Sequence, residues 1–223
     1  MALTVVTAAT ARDLTTVSAV KLDLDNTEEK DDKLIAEMIR RASAAIDTYL
    51  SPRELRRQTY SETVSGSGDL HLRLSQYPIV SVASVALDGS PVVDYSIEDA
   101  AAGILFRRLG WNDTTLVGWN LTGTPLPQGQ DPRYVVVYTA GFLIPSVKSD
   151  DVNDQGPRLP SDLERACIEL VKEWMAPASR KGGGSTITSK KVGDLTITYG
   201  DKGQTSELPS QVRMMLDPWR PTW

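Results

Sequence analysis

The sequence predicts an α+β fold: a small helical bundle core, an inserted antiparallel β domain, and an extended C-terminal arm carrying a β-hairpin. Two amphipathic stretches, Asp32–Leu50 and Ser161–Met175, flank a long middle region of short β-prone runs separated by turn residues. After the second stretch come a glycine run, a possible hairpin and a proline- and tryptophan-rich end. This organisation divides the chain into residues 1–56 (first part of the helical core), 57–145 (β-rich insertion), 146–176 (second part of the core) and 177–223 (hairpin and arm).

The first ten residues are small and apolar and show no helical period. Leu14-Thr15-Thr16 then supplies an apolar residue and a capping hydroxyl, and Val17, Val20, Lys21 and Leu24 begin a short helix. The run Asp25 to Glu29 breaks that helix and places acids where the next helix N-terminus favours them. In the long helix Leu34, Ile35, Met38, Ile39, Ala42, Ile46 and Tyr49 recur at steps of three and four. Most of its charged residues fall on the other side, and Ser51-Pro52 ends it.

From residue 57 to 138 the predicted strands are 58–64, 70–74, 80–87, 95–97, 104–106, 116–119 and 134–138. Gly66-Ser67-Gly68-Asp69, Asp88-Gly89-Ser90-Pro91 and Asn112-Asp113 punctuate them. Leu70, Leu72 and Leu74 alternate with His71 and Arg73, the pattern of a strand buried on one side. Ser161 and Glu164 have capping-box spacing at the head of the second main helix, whose apolar stripe is Leu163, Ala166, Cys167, Leu170, Val171 and Trp174. Gly182-Gly183-Gly184 reads as a joint. Residues 186–191 and 195–199 can pair around Gly193-Asp194, and a last short helix from Ser210 carries Val212, Met215 and Leu216.

Composition excludes several functions. The chain has 223 residues, 40% hydrophobic and 24% charged, with a net charge of −5. That balance suits a globular body and argues against a binder that relies on neutralising phosphates. Residues 177–223 hold seven Lys/Arg against four acids, or +3, so residues 1–176 carry −8. The basic end suits an acidic partner or a solvated surface. Cys167 is the single cysteine, placed to be a small buried hydrophobe. No apolar run reaches the ~18 residues of a membrane span and no charged n-region precedes an apolar h-region at the start, which predicts synthesis in the cytoplasm and no membrane partner.

Candidate chemistry is sparse. His71 is the only histidine, too few for a catalytic triad or a histidine metal site. Asp23/Asp25 and Asp31/Asp32 imitate a two-acid hydrolase site but fit better as caps and surface. Asp151, Asn153, Gln155, Gly156 and Asp162 fall near calcium-loop positions. The long bidentate glutamate is missing, however, and Pro157 and Pro160 interrupt the loop. Lys181-Gly182-Gly183-Gly184-Ser185-Thr186 has the wrong order for a phosphate loop. No catalytic residue, cofactor or metal site is expected. Trp219, Arg220 and Trp223, with Met215 and Leu216 just before them, read instead as partner-interface anchors, because Trp and Arg dominate such contacts and Pro218 and Pro221 favour an extended chain. A different reading takes Trp111 and Trp119 as stacking platforms of a β-sandwich module that binds glycans or a host surface.

Three stretches together resemble the head–tail connector (adaptor, head completion) proteins of long-tailed bacteriophages and gene-transfer particles. The first runs from Leu14 through Leu24 into the helix Asp32–Leu50. The second is Tyr77-Pro78-Ile79-Val80-Ser81-Val82-Ala83-Ser84-Val85 with Val135-Val136-Val137-Tyr138-Thr139-Ala140-Gly141-Phe142. The third is Leu159-Pro160-Ser161-Asp162-Leu163-Glu164-Arg165-Ala166 with the segment from Lys190 to Gly200. The resemblance implies a virion protein that forms a ring of copies, dodecameric, beneath the portal protein, with helices around a DNA channel. It implies that the arm reaches the portal. The hairpin, with Ile187, Lys190, Lys191, Leu195, Ile197 and Tyr199, would meet adjacent subunits or the next neck, stopper or tail protein. Genomic DNA would pass through without sequence-specific binding.

Overall fold

The computed structural model describes residues 2–25, 29–66, 68–111, 133–147, 156–175, 189–192, 195–198 and 208–220. They form an α+β protein with four helices and three antiparallel sheets. Described residues up to Arg12 and between Leu50 and Leu159 make one compact unit, rich in strand. Those between Asp13 and Tyr49 and from Pro160 onward make a second, mainly helical unit.

The β unit contains β1 (Ala2–Thr7), β2 (Gln58–Val64), β3 (His71–Arg73), β4 (Ile79–Leu87), β5 (Ser90–Pro91), β6 (Tyr95–Asp99), β7 (Ile104–Arg107) and β8 (Tyr134–Ala140). One sheet has the order β1-β2-β8-β4-β5 and another the order β3-β7-β6. β8 sits centrally in the larger sheet, with Tyr60 opposite Tyr138 on one side and Val82 opposite Tyr138 on the other. Both strands show the expected two-residue period: every second residue of β2 and β8 is buried. Tyr60, Val64, Tyr134, Val136 and Tyr138 from the larger sheet share one core with Leu72 and Leu105 of the smaller. The β1 strand is a departure from the sequence reading, which found no period in the first ten residues. All six of its residues are exposed, so no buried face could imprint an alternation.

Gly141 ends β8 with φ +107°, a conformation costly for other residues, and a Cβ there would lie 2.3 Å from the Arg56 carbonyl oxygen. That close approach lets Phe142 N donate to Leu55 O at 2.8 Å and Arg57 N to Phe142 O at 3.0 Å. Arg56 itself is buried. Its Nε donates to Arg12 O at 2.8 Å and its Nη1 to Glu54 Oε1 at 2.7 Å, so the guanidinium pins the chain after β1 to the entry of β2.

The helical unit contains α1 (Val17–Leu24), α2 (Asp32–Leu50, whose last residue packs with the β unit), α3 (Ser161–Met175) and α4 (Ser210–Leu216). Thr16 caps α1, its side chain accepting from Ala19 N at 3.2 Å, and Asp25 closes the helix in the left-handed region. Along α2 the buried stripe is Ile35, Ile39, Ala42 and Ile46, while Leu34 turns to solvent. Along α3 it is Leu163, Ala166, Cys167, Leu170 and Val171. The stripe stops a turn short of Trp174, which is exposed. Leu14 N donates to Ser43 Oγ at 3.0 Å and Ser43 Oγ lies 3.8 Å from Cys167 Sγ, so one buried hydroxyl joins three segments. The Glu164 carboxylate accepts from Thr15 Oγ1 at 3.0 Å, which ties α3 to the chain entering α1. β9 (Ser189–Val192) and β10 (Leu195–Thr198) form the predicted hairpin, with Leu195 opposite Val192.

Candidate assembly surfaces

The end of the chain was the strongest interface candidate, and the structure divides its residues. α4 buries Val212 and Leu216 within the helical unit, so Leu216 holds α4 down and is not an exposed anchor. Met215 is half-buried and Met214 is exposed. Asp217–Trp219 then makes a 3-10 turn. This corrects the expectation of an extended segment there, and the cause is local: Pro218 at an early turn position has a φ suited to helix. Tyr49 OH donates to Asp217 Oδ1 at 2.5 Å, and the Arg220 guanidinium stands 5.0 Å from the centre of the Tyr49 ring. The hydrogen bond to Asp217 pushes the Tyr49 phenol up from its ordinary range. Trp219 remains half-exposed beside this clasp and Arg220 is exposed. Trp223 lies outside the described residues. So do Ile187 and Tyr199 of the hairpin set, whereas Lys190, Lys191, Leu195 and Ile197 lie in the paired strands.

The other candidates resolve into structural roles. Trp111 is fully buried, meeting Tyr134 edge-on at 5.1 Å between ring centres and donating from Nε1 to Leu70 O at 3.1 Å. A ring with no exposed face cannot stack on a sugar, which overturns Trp111 as a glycan platform. Trp119 lies outside the described residues, as does most of the calcium-like loop before Gly156 and the glycine run at 182–184. His71 is exposed, with Nε2 2.8 Å from Glu98 Oε2. Two of the acids near the junction of the first two helices, Asp23 in α1 and Asp32 at the head of α2, are ion-paired. Asp23 holds Lys172 at 2.6 Å and Arg165 at 2.5 Å, contacts that keep its carboxyl below the usual range, and Lys21 meets Asp32 at 2.7 Å. Among the described residues no group of three or more His, Cys, Asp or Glu could hold a metal ion, and no helix is long and apolar enough to cross a membrane.

One feature escaped the sequence reading. Glu62 faces inward from β2, fully buried among core residues. Its carboxylate accepts from Tyr138 OH at 2.6 Å, from Ser75 N at 3.0 Å and from Ser75 Oγ. Burial, and then the Glu62 carboxylate, push the Tyr138 phenol far above its ordinary range. The alternation of β2 signals an inward position at 62, but nothing in sequence signals the hydroxyls that meet it there.

No protein-family model matches the sequence, and no curated protein matches it. Solved structures do. A chain in the neck of an empty gene transfer agent particle, computed with C6 symmetry, matches with a TM-score of 0.54 at 17% identity, over 100% of this chain and 97% of that one. A chain in the virion of a native gene transfer agent particle matches with a TM-score of 0.53 at 18% identity, again over 100% and 97%. At such identities the likeness shows a shared fold, and it runs the length of both chains.

Proposed function

We propose that this chain is a structural neck subunit, the head–tail connector of a tailed phage or gene-transfer particle. Copies form a ring beneath the portal, join head to tail and surround the channel through which DNA passes. The observation that carries this reading is the end-to-end likeness to a chain in a particle neck. A stray domain resemblance would cover part of the chain, whereas here both units and their chain order are included. The sequence pattern points the same way without using the fold. The sixfold symmetry of that neck suits six or twelve copies, and twelve is the number adopted here. The role is mechanical, without catalysis, and is exercised in the virion.

In this reading Trp219, Arg220 and Trp223 face the portal, with Met215 at the margin and Leu216 as the internal bolt beneath them. The β9–β10 hairpin meets an adjacent subunit or the next neck protein. Electron microscopy of particles from producing cells tests the proposal. The expected result is a ring of this chain at the head–tail junction, with heads and tails failing to join when it is deleted. Truncation after Leu216 is expected to leave a folded chain that no longer enters particles. Normal joining without the chain overturns the proposal.

A further inference from the structure

Among the described residues, the larger sheet of the β unit leaves backbone unpaired at both of its edges. At one end β1 pairs with β2 on one side and with no described strand on the other. Leu3 and Val5 lie opposite Glu62 and Tyr60, so they point to the core face of the sheet, yet they are 41% and 48% exposed. Residues 2–11 contain no charge and no proline, the usual guards of a strand edge.

At the other end β5 covers β4 only at Ala86 and Leu87. The returning chain is pinned to β4 twice, by Val92 N to Val85 O at 2.9 Å and by Ile79 N to Ala100 O at 2.7 Å. Between those pins it leaves the β4 edge, and residues 80–84 have no described partner on that side. A groove of about 470 Å³ opens there, lined by Val82, Val85, Val92, Val93, Tyr95 and Ile97. Val93 is 85% exposed and Ile97 40%. Residues 80–84 are also uncharged.

We propose that β1 of one copy pairs edge to edge with β4 of a second copy, its Leu3 and Val5 side chains entering the groove beside that strand. This rests on the ring reading above and names the surface that would close the ring. Two observations favour a second copy as the occupant. Both edges lack charge, so neither repels the other. And because the two edges terminate the same sheet, each copy offers one and needs one, the condition for a head-to-tail interface that can close on itself.

The test uses full-length chains carrying single cysteines at exposed positions, Val5→Cys and Val93→Cys, with native Cys167 buried. Particles are made in cells producing both variants and treated with a short bis-maleimide. Cross-linked dimers that need both variants are the expected result. Dimers from Val5→Cys alone would indicate symmetric β1 pairing and overturn the proposal. A second variant, Leu3→Lys/Val5→Lys, alters side chains already in solvent. It is expected to keep its melting temperature while entering particles at least tenfold less. Wild-type incorporation of that variant, in necks that still hold the ring, overturns the β1–β4 contact and leaves the neck function standing. Necks lacking the wild-type chain overturn both.

Discussion

Glu62 and Tyr138 set the chemistry of the β core. A buried carboxylate that is ion-paired with no described cation depends on its hydrogen-bond donors, and the Tyr138 hydroxyl at 2.6 Å is one of them. Removing it in Tyr138→Phe is expected to cost about 2 kcal/mol at neutral pH, read by urea denaturation, because hydrogen bonds to charged groups contribute roughly 1.5–3 kcal/mol. The pH dependence follows from linkage. Burial and Glu62 raise the folded-state value of Tyr138 above its ordinary 10.0, so above that pH the unfolded chain releases a proton that the folded chain keeps. Tyr138 therefore lends stability that is complete below pH 10 and is lost as pH rises further. The gap between wild type and Tyr138→Phe should narrow from about pH 10 upward; a gap that widens would contradict this assignment.

At the scale of elements, α4 separates holding from binding. Leu216 is fully buried while Trp219, three residues on, is half-exposed. Leu216→Ala is expected to destabilise the chain by about 3 kcal/mol, the typical cost of emptying a buried leucine site, and to speed amide exchange through residues 210–220. Trp219→Ala should move stability by less than about 1 kcal/mol and yet abolish entry into particles. Equal loss of stability in both variants would remove the distinction. This is also where the limits of sequence reading lie. The bounds of α2, α3 and β2 were legible because one face of each is buried and leaves a period in the residues. β1 was not, since both its faces meet solvent. Trp111, read as a stacking platform, is buried, because burial of a lone tryptophan depends on partners distant in sequence, such as Tyr134. Leu216 was legible as an apolar helix position, but whether that position faces inward or a partner is set by tertiary packing. The Asp217–Trp219 turn was missed because proline permits both extended and first-turn conformations.

At the scale of the whole molecule, charge bears on the proposed passage of DNA. The chain carries −5 overall, and residues 1–176 carry −8. A binder of duplex DNA draws most of its non-specific affinity from lysines and arginines that displace condensed counterions, and each such contact steepens the dependence on salt. A channel that must release the genome quickly needs the opposite: walls that neither grip phosphates nor present a continuous basic track. Acidic surface near the path would hold the duplex off by repulsion that is screened beyond about 8 Å at physiological ionic strength. The purified chain is therefore expected to show no binding to duplex DNA tighter than about 100 μM at physiological salt, the weak end of non-specific affinity, in a fluorescence-anisotropy titration. Lowering the salt should not rescue binding, because the net charge of −5 repels the duplex and lower salt screens that repulsion less. Micromolar affinity with a steep salt slope would mean that the seven cations of residues 177–223 act together on phosphates, and the chain would then grip the genome in place of letting it pass.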